Sequence, residues 1–351
     1  LPKPIADLAL LPAPAPRGEI GLVLPEELAP RFTTQITRTV KQVEIDGALI
    51  EVALDRGSIT AGKRKELLSE LEFELKGGSV PAMLAFARSA VGGGGATISS
   101  RAKSERGMDL VAGIRPQPVK AERPVLTRDD STASALTAIV SGAVLQAIAN
   151  IPAACEGEDI EGVHQLRVAL RRLRSGLGLF KRDLTGKAKA LERDAGDVLK
   201  VLGAARDLDV FLAETLPLVG QDHPDEALEE LASAARKAQA QSYDDLRRLI
   251  ADPAFTQLMI DLLILAEEPR AGLKKGDQPL ISTAAARLEK HHRHVLKRGR
   301  KFDRQSSAER HRVRLALKKL RYACDYLKGL YRNEPGRDYL KRLSVLQDDM
   351  G

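Results

Sequence analysis

The chain has 351 residues, of which 43% are hydrophobic and 29% charged, so it is long enough for two domains of ordinary globular composition. Its net charge is +7, yet only 3% of the residues are aromatic, which disfavours nucleic acid as a ligand because single-strand binders stack bases on aromatic side chains. Two cysteines exclude a disulfide framework and the first ten residues carry no secretory signal, so we expect a cytoplasmic protein.

Residues 1–118 are predicted to form a β-rich domain. The stretch QITRTVKQVEIDGALIEVALDRG (35–57) alternates apolar and polar residues around Asp46-Gly47, a pattern typical of a hairpin. The stretch SELEFELKGG (69–78) alternates in the same way and places Glu70, Glu72 and Glu74 on one face. A short helix is predicted over 81–91, before a glycine run.

A change of period separates a second domain from the first. Residues 119–130 are rich in proline and polar side chains and are predicted to be a linker. From residue 131 to 351 the apolar period is 3.6, which predicts an all-α domain. Its uncharged run from 136 to 155 contains Asn150 and Pro152, so we expect a buried helix and no membrane partner. Gly203 is predicted to end one helix, and Asp207 and Asp209 are interpreted as helix caps.

An internal repeat lies within the helical domain. VHQLRVALRRLR (163–174) aligns without a gap with RHRVRLALKKLR (310–321), at an offset of 147 residues. The repeat predicts two related halves, about 131–275 and 276–351. We expect the chain to be a fragment, because the second half stops before the segment that follows the motif in the first.

Each copy of the motif places a row of cations beside an apolar seam. Helical spacing groups the row residues in two sets: His164, Arg167, Arg171, Arg174 and Lys181, and His311, Arg314, Lys318, Arg321 and Lys328. Like charges three or four apart cost roughly 0.2–0.5 kcal/mol each, so the two rows together cost about 2 kcal/mol. A solvated helix flank is the simpler interpretation of one row, but a repeated row favours a polyanionic ligand.

Histidines concentrate near the basic stretches, where HHRH (291–294) raises the question of a metal site. No carboxylate or cysteine stands at ligand spacing, so a bound metal is disfavoured. Histidines that are partly protonated would add positive charge beside an anion.

The motifs HQLRVALRRLR (164–174), LGAARDLDV (202–210) and HRVRLALKKLRY (311–322) resemble the CHAD domain, a histidine-containing α-helical domain of two pseudo-symmetric four-helix bundles. The resemblance covers about 120–351. It implies that inorganic polyphosphate binds along a basic channel without a cofactor, and it extends the candidate residues to Arg172 and Lys319. Association with polyphosphate granules would follow.

TRTVKQVEIDGALIEVALDRG (37–57), SELEFELKGG and KSERG (103–107) resemble the later part of a CYTH domain, the triphosphate tunnel fold. This family implies metal-dependent hydrolysis of triphosphate, with Mg²⁺ as the expected ion. The implied catalytic residues are Glu70 and Glu72, and the implied phosphate-binding residues are Arg38, Lys103 and Arg106. The family's first ExExK strand is missing from this chain, so these residues would form only part of a site.

The predicted fold class is therefore α+β, with a partial CYTH-like domain before a CHAD domain. The preferred function is binding of polyphosphate between the two basic rows. The alternative is a metal-dependent inorganic triphosphatase in which the helical domain recruits polyphosphate.

Overall fold

A computed structural model of the chain describes residues 29–120, 124–222, 226–275, 277–331 and 334–349. The chain divides into two compact units. The sheet unit contains the described residues up to Lys41, together with Ala53–Glu72 and Arg101–Arg115. The helical unit contains Gln42–Val52, Phe73–Ser100 and the chain from Pro116 onward. The predicted domain boundaries at 118 and 131 stay a prediction.

Three strands form a meander in the order β1-β2-β3: β1 Thr33–Ile45, β2 Ala48–Ala61 and β3 Arg64–Gly77. The predicted turn joins β1 to β2 through Asp46 and Gly47, whose φ angles are 48° and 73°. Two consecutive positive φ angles match the right-handed twist of the strands, which is why Asp-Gly is favoured there. The predicted hairpin is confirmed.

Helices make up most of the remaining described chain: α1 Val80–Ala90, α2 Lys103–Ala112, α3 Thr132–Glu156, α4 Ile160–Leu179, α5 Gly186–Val210, α6 Leu216–Asp222, α7 Glu226–Ala251, α8 Pro253–Glu267, α9 Leu280–Gly299, α10 Ser307–Leu327 and α11 Glu334–Asp349. A sheet followed by a helical domain confirms the predicted α+β class.

The predicted boundary at Gly203 is wrong. Helix α5 continues through Gly203 to Val210 and passes into a π-helical turn, Phe211–Thr215. Asp207 therefore lies inside the helix and caps nothing. Asp209 is fully buried and accepts hydrogen bonds from Gln239 Nε2 at 2.8 Å and the Tyr243 hydroxyl at 3.2 Å. Packing overrides the weak tendency of one glycine to end a helix.

The core of the helical unit is built on α3 and α4. The predicted seam of α4 has no exposed surface at any of its members: Val163, Leu166, Leu170, Leu173, Leu177 and Phe180. The equivalent seam of α10 is also buried, with Leu317 and Leu320 each 1% exposed. The seams fix the rotation of α4 and α10 about their axes, and therefore where the neighbouring cations lie.

The first helices of the two repeats begin side by side. Thr132 N donates to Gln278 O at 2.8 Å, and Leu280 N donates to Asp130 O at 2.9 Å. Ser131 and Pro279 form an antiparallel bridge between these segments. The start of α3 is thus paired with the start of α9, as expected of two related halves.

Helix α3 is long and apolar enough to cross a membrane, and 61% of its most apolar window is buried inside the helical unit. A bent pair of helices, Ala227–Ala251 and Pro253–Glu267, passes the same test only when taken together. The predicted buried helix is therefore present. The side-chain amides of Asn150 and Gln146 on this helix donate hydrogen bonds to the Val119 carbonyl, at 2.8 and 3.2 Å.

Candidate functional site

The first basic row lies along α4, which begins at the N-cap Asp159. Arg171 is exposed, whereas His164, Arg167 and Arg174 are half-buried. The half-buried side chains approach α5 where that helix has glycines. A Cβ atom at Gly203 would lie 3.0 Å from an Nη atom of Arg167, and one at Gly196 would lie 2.9 Å from Cζ of Arg174. The two glycines therefore leave room for the guanidinium groups.

The row has acidic neighbours on the helix that packs against it. Arg174 forms an ion pair with Glu192 at 3.1 Å. Asp207 attracts Arg167, although burial lowers the pKa of that arginine overall. The reason is that α5 contributes carboxylates that are remote in sequence from the row. Arg171 has no ion pair within the described part of the chain.

The two rows meet where α4 packs on α10. Lys318 of the second row is half-buried, and its pKa is lowered by burial and by the charges of Arg314, Arg171 and Arg321. One of these three charges, Arg171, belongs to the first row. Among the described residues, no carboxylate opposes this lowering. Cations from both repeats therefore share one region, as the repeat predicted.

Tyr322 lies at the centre of this region. The Arg171 guanidinium carbon is 5.8 Å from the centroid of the Tyr322 ring, and that of Arg321 is 5.5 Å away. Both distances allow cation–π attraction, which is worth about 0.5–1 kcal/mol at exposed sites. One aromatic ring is therefore in contact with an arginine side chain from each repeat.

Sequence reasoning missed Arg206, which extends the first row onto α5. Burial is the largest cause of the lowered pKa of His164. The positive charges of Arg206, Arg171 and Arg167 lower this pKa further, and the negative charge of Glu161 opposes them. The Nη1 atom of Arg206 is buried and has no hydrogen-bond partner among the described residues. The Nε atoms of Arg314 and Arg321 are buried and unpartnered in the same way. The signal in the sequence is the LGAARDLDV motif, which contains Arg206 between its glycine and its two aspartates.

Several predicted site residues lie away from the place where the rows meet. Lys319 points toward α9. Burial is the largest cause of the lowered pKa values of His291 and His294 on that helix, and the charge of Lys319 lowers both further. Lys328 is exposed just after α10 and lines a largely apolar cavity between α9, α10 and α11. His311 is exposed near the start of α10, and one guanidinium nitrogen of Arg172 is buried.

The HHRH segment lies on α9. The charged neighbours that act on His291 and His294 are cations or each other. Among the described residues no three His, Cys, Asp or Glu side chains are grouped to hold a metal ion.

The sheet unit holds a separate cluster around Asp55 on β2. The Asp55 carboxylate is fully buried and accepts from Arg38 Nε at 2.7 Å and Nη2 at 2.6 Å. Lys103 Nζ lies 2.9 Å from Asp55 and 2.8 Å from Glu70, and it also contacts Glu72. The hydrogen bond from Arg38, despite burial, holds the pKa of Asp55 at about 2. Sequence reasoning missed Asp55, which lies at the centre of the cluster.

The same cluster extends along β3 through Arg106. Its guanidinium contacts Glu66 at 2.6 Å and also Glu70. All five residues predicted here, Arg38, Glu70, Glu72, Lys103 and Arg106, are therefore brought together. Each carboxylate is already paired with a cation, and no metal-ligand grouping is present in the described chain. The residues present do not fit a resident Mg²⁺ ion.

Comparison with known proteins agrees with these features. Residues 138–351 match the family model described as the CHAD domain. A crystal structure of the CHAD domain from the plant Ricinus communis matches with a TM-score of 0.56 and 32% sequence identity, covering 67% of this chain and 78% of that chain. An inorganic triphosphatase from Haemophilus influenzae is 40% identical over 80 residues, which is 23% of this chain. The chain spans only 23% of that relative's length.

These matches, with the three-stranded sheet, confirm the prediction of a CHAD domain that follows a CYTH-like region. Because the family model covers more than half of the residues, the chain belongs to the CHAD domain family.

Proposed function

We propose that the helical unit binds inorganic polyphosphate between the rows of α4 and α10. The observation that carries the proposal is that Arg171 of the first row and Arg321 of the second lie 5.8 and 5.5 Å from the Tyr322 ring centroid, where α4 packs on α10. Membership of the CHAD family and a triphosphatase relative both support a function related to condensed phosphates.

The side chains suit a linear polyanion. Guanidinium groups bind phosphate oxygens through two parallel N–H bonds, and ammonium groups bind them as compact charges. Arg206, Arg314 and Arg321 each present a buried nitrogen without a hydrogen-bond partner in the described chain. Because these three nitrogens have almost no accessible surface, a phosphate group would act on them through its charge, and it would reduce the mutual repulsion of the rows.

The test compares two double variants with equal changes in charge. Arg171→Glu with Lys318→Glu alters the meeting point of the rows, whereas Arg236→Glu with Lys237→Glu alters two exposed positions on α7. Binding of long-chain polyphosphate is measured by calorimetry at two salt concentrations. We expect the first variant to lose at least 100-fold in affinity and the second less than fivefold. Equal losses, or tight binding by the first variant, would disprove the site.

A second candidate is hydrolysis of inorganic triphosphate by the sheet unit. The observation in its favour is the cluster in which Lys103 and Arg106, both basic, lie against Glu70 and Glu72. Because the carboxylates are all paired with cations, we assign no step to a metal. Phosphate release is measured with added Mg²⁺ and with a chelator, for Glu72→Gln and for Glu74→Gln, whose side chain pairs with Lys76 instead. Loss of release in Glu72→Gln alone would support this activity, and none from the unaltered chain would exclude it here.

A further inference from the structure

Three lysines converge just beyond the C-terminal end of α4. Lys181 follows the last turn of that helix, Lys189 lies on the first turns of α5, and Lys274 lies in the loop after α8. The charges of Lys274 and Lys181 both act on the ammonium group of Lys189 and lower its pKa, with Lys274 the stronger. Lys181 and Lys274 are exposed and Lys189 is half-buried.

The backbone holds this three-lysine cluster together. Lys274 N donates to Asp183 O at 2.7 Å, and Thr185 N donates to Gly272 O at 2.9 Å, around an antiparallel bridge between Leu184 and Leu273. Thr185 also caps α5, so the first turns of α5 start from the same ladder. The positions of Lys274 and Lys189 are therefore set by main-chain hydrogen bonds, not by the lysine side chains.

The carboxylates nearest in sequence do not neutralise the cluster. Asp183 pairs with Arg287 at 2.8 Å, and Glu192 pairs with Arg174 at 3.1 Å. No ion pair of Lys181, Lys189 or Lys274 is present among the described residues. The like charges lower the pKa of Lys189, most through its contact with Lys274. Holding ammonium groups this close costs free energy unless an anion lies between them.

We propose that Lys181, Lys189 and Lys274 form a binding site for a phosphate group of a condensed phosphate chain. The proposal rests on the proposed function and extends it, because the bound polyphosphate would continue from the α4 row past the C-terminal end of that helix. Three converging ammonium groups suit the several oxygens of one phosphate unit, and the unit would relieve their repulsion. The cluster therefore fixes the direction in which the polyanion leaves the rows.

The experiment uses Lys189→Gln with Lys274→Gln, and as control Lys187→Gln with Lys275→Gln, which removes the same charge from exposed positions on the same two segments. Long-chain polyphosphate binding is measured over a series of salt concentrations. We expect the cluster variant to lose about tenfold in affinity and its logarithmic salt slope to fall by roughly 1.4, since each phosphate contact contributes about 0.7 in a single-stranded polyanion. The control should stay within threefold with a smaller change in slope.

A ligand-free measurement separates this inference from the proposed function. The cluster variant should have a higher thermal midpoint than the control variant, because it removes repulsion that the control does not. Equal midpoints together with equal affinities would overturn the inference while leaving the binding function intact. Failure of the unaltered chain to bind polyphosphate would overturn both. A parallel titration with inorganic phosphate tests whether a single free phosphate ion binds the cluster as well as polyphosphate does. Displacement of the polyphosphate only by millimolar phosphate fits the proposed site. Full competition at micromolar phosphate would contradict it.

Discussion

Arg171 of the first repeat lies over the ring of Tyr322 in the second, with 5.8 Å between the guanidinium carbon and the ring centroid. Arg321 approaches the same ring at 5.5 Å. A guanidinium group that rests its face on an aromatic ring keeps its N–H edges free for hydrogen bonds. Under the proposed function, Tyr322 would hold Arg171 in place for the anion, and its ring offsets part of the repulsion between the two cations.

Replacing Tyr322 tests this positioning. Tyr322→Leu removes the aromatic face and should weaken polyphosphate binding about twofold to fivefold, since the contact of the ring with Arg171 is worth about 0.5–1 kcal/mol. Tyr322→Phe keeps the ring and should restore binding. Because neither change alters a charge, the salt dependence should be the same in all three proteins. A weakened Phe variant would show that the hydroxyl matters and the ring does not.

From the lowered pKa of His164 we expect pH to have opposite effects on the stability of the protein and on its affinity for polyphosphate. Burial and the charges of Arg206, Arg171 and Arg167 lower its pKa in the free protein. The unfolded chain therefore binds this proton more readily, so the contribution of His164 to stability is present above about pH 6.5 and declines as the pH falls below it. A bound polyanion raises the pKa, so affinity should increase as the pH falls from 7.5 to 5.5.

Calorimetry in buffers of different ionisation enthalpy measures the proton uptake that accompanies binding. His164→Gln should lower this uptake and flatten the pH dependence of affinity. His292→Gln is the control, because His292 lines the apolar cavity of the second repeat. Uptake that is unchanged in His164→Gln would rule out His164 as the source of the pH dependence.

Gly203→Ala should separate stability from binding. Alanine favours a helix over glycine by about 1 kcal/mol, and α5 continues straight through this position. Its Cβ atom would lie 3.0 Å from the Arg167 guanidinium, which must move away. We expect an unchanged or higher thermal midpoint with affinity for polyphosphate reduced severalfold. Gly186→Ala, at a position with open space around it, should leave affinity unchanged.

The buried Asp55 makes the sheet sensitive to acid. Arg38 holds the pKa of Asp55 at about 2, below its usual value near 3.8. The stability that this shift contributes is fully present above about pH 4 and is lost as the pH falls toward 2. Asp55→Asn should destabilise the strands by about 2 kcal/mol, less than for a fully buried pair because Arg38 is 42% exposed. Amide hydrogen exchange of β1 to β3 in the whole chain measures the loss, with Glu74→Gln as control.

The buried seams were predicted from the sequence because they depend on helical period alone, and the role of the neighbouring cations stays a prediction. Leu166 and Leu170 mark the buried stripe, and the cations one residue later must lie beside it. The Asp46-Gly47 turn was predicted for the same local reason, since only a few residue pairs accept two positive φ angles.

What the sequence could not predict depends on contacts between distant segments. Asp55 gains its role from Arg38 and Lys103, which only the folded sheet and α2 bring to it. The pairing of Arg174 with Glu192 required the packing of α5 on α4. The error at Gly203 has the same origin, because a glycine that leaves room for Arg167 looks in the sequence like a helix terminator.

The reciprocal hydrogen bonds at the starts of α3 and α9 have a consequence for how such a domain can be divided. Thr132 and Leu280 are each the first residue of a helix, and each amide is satisfied by a carbonyl from the segment that leads into the other helix. A chain cut between the repeats would leave both amides without these partners. We therefore expect neither half to keep its helix start intact when the other is removed, and a ligand that needs a row from each half would be lost together with these two bonds.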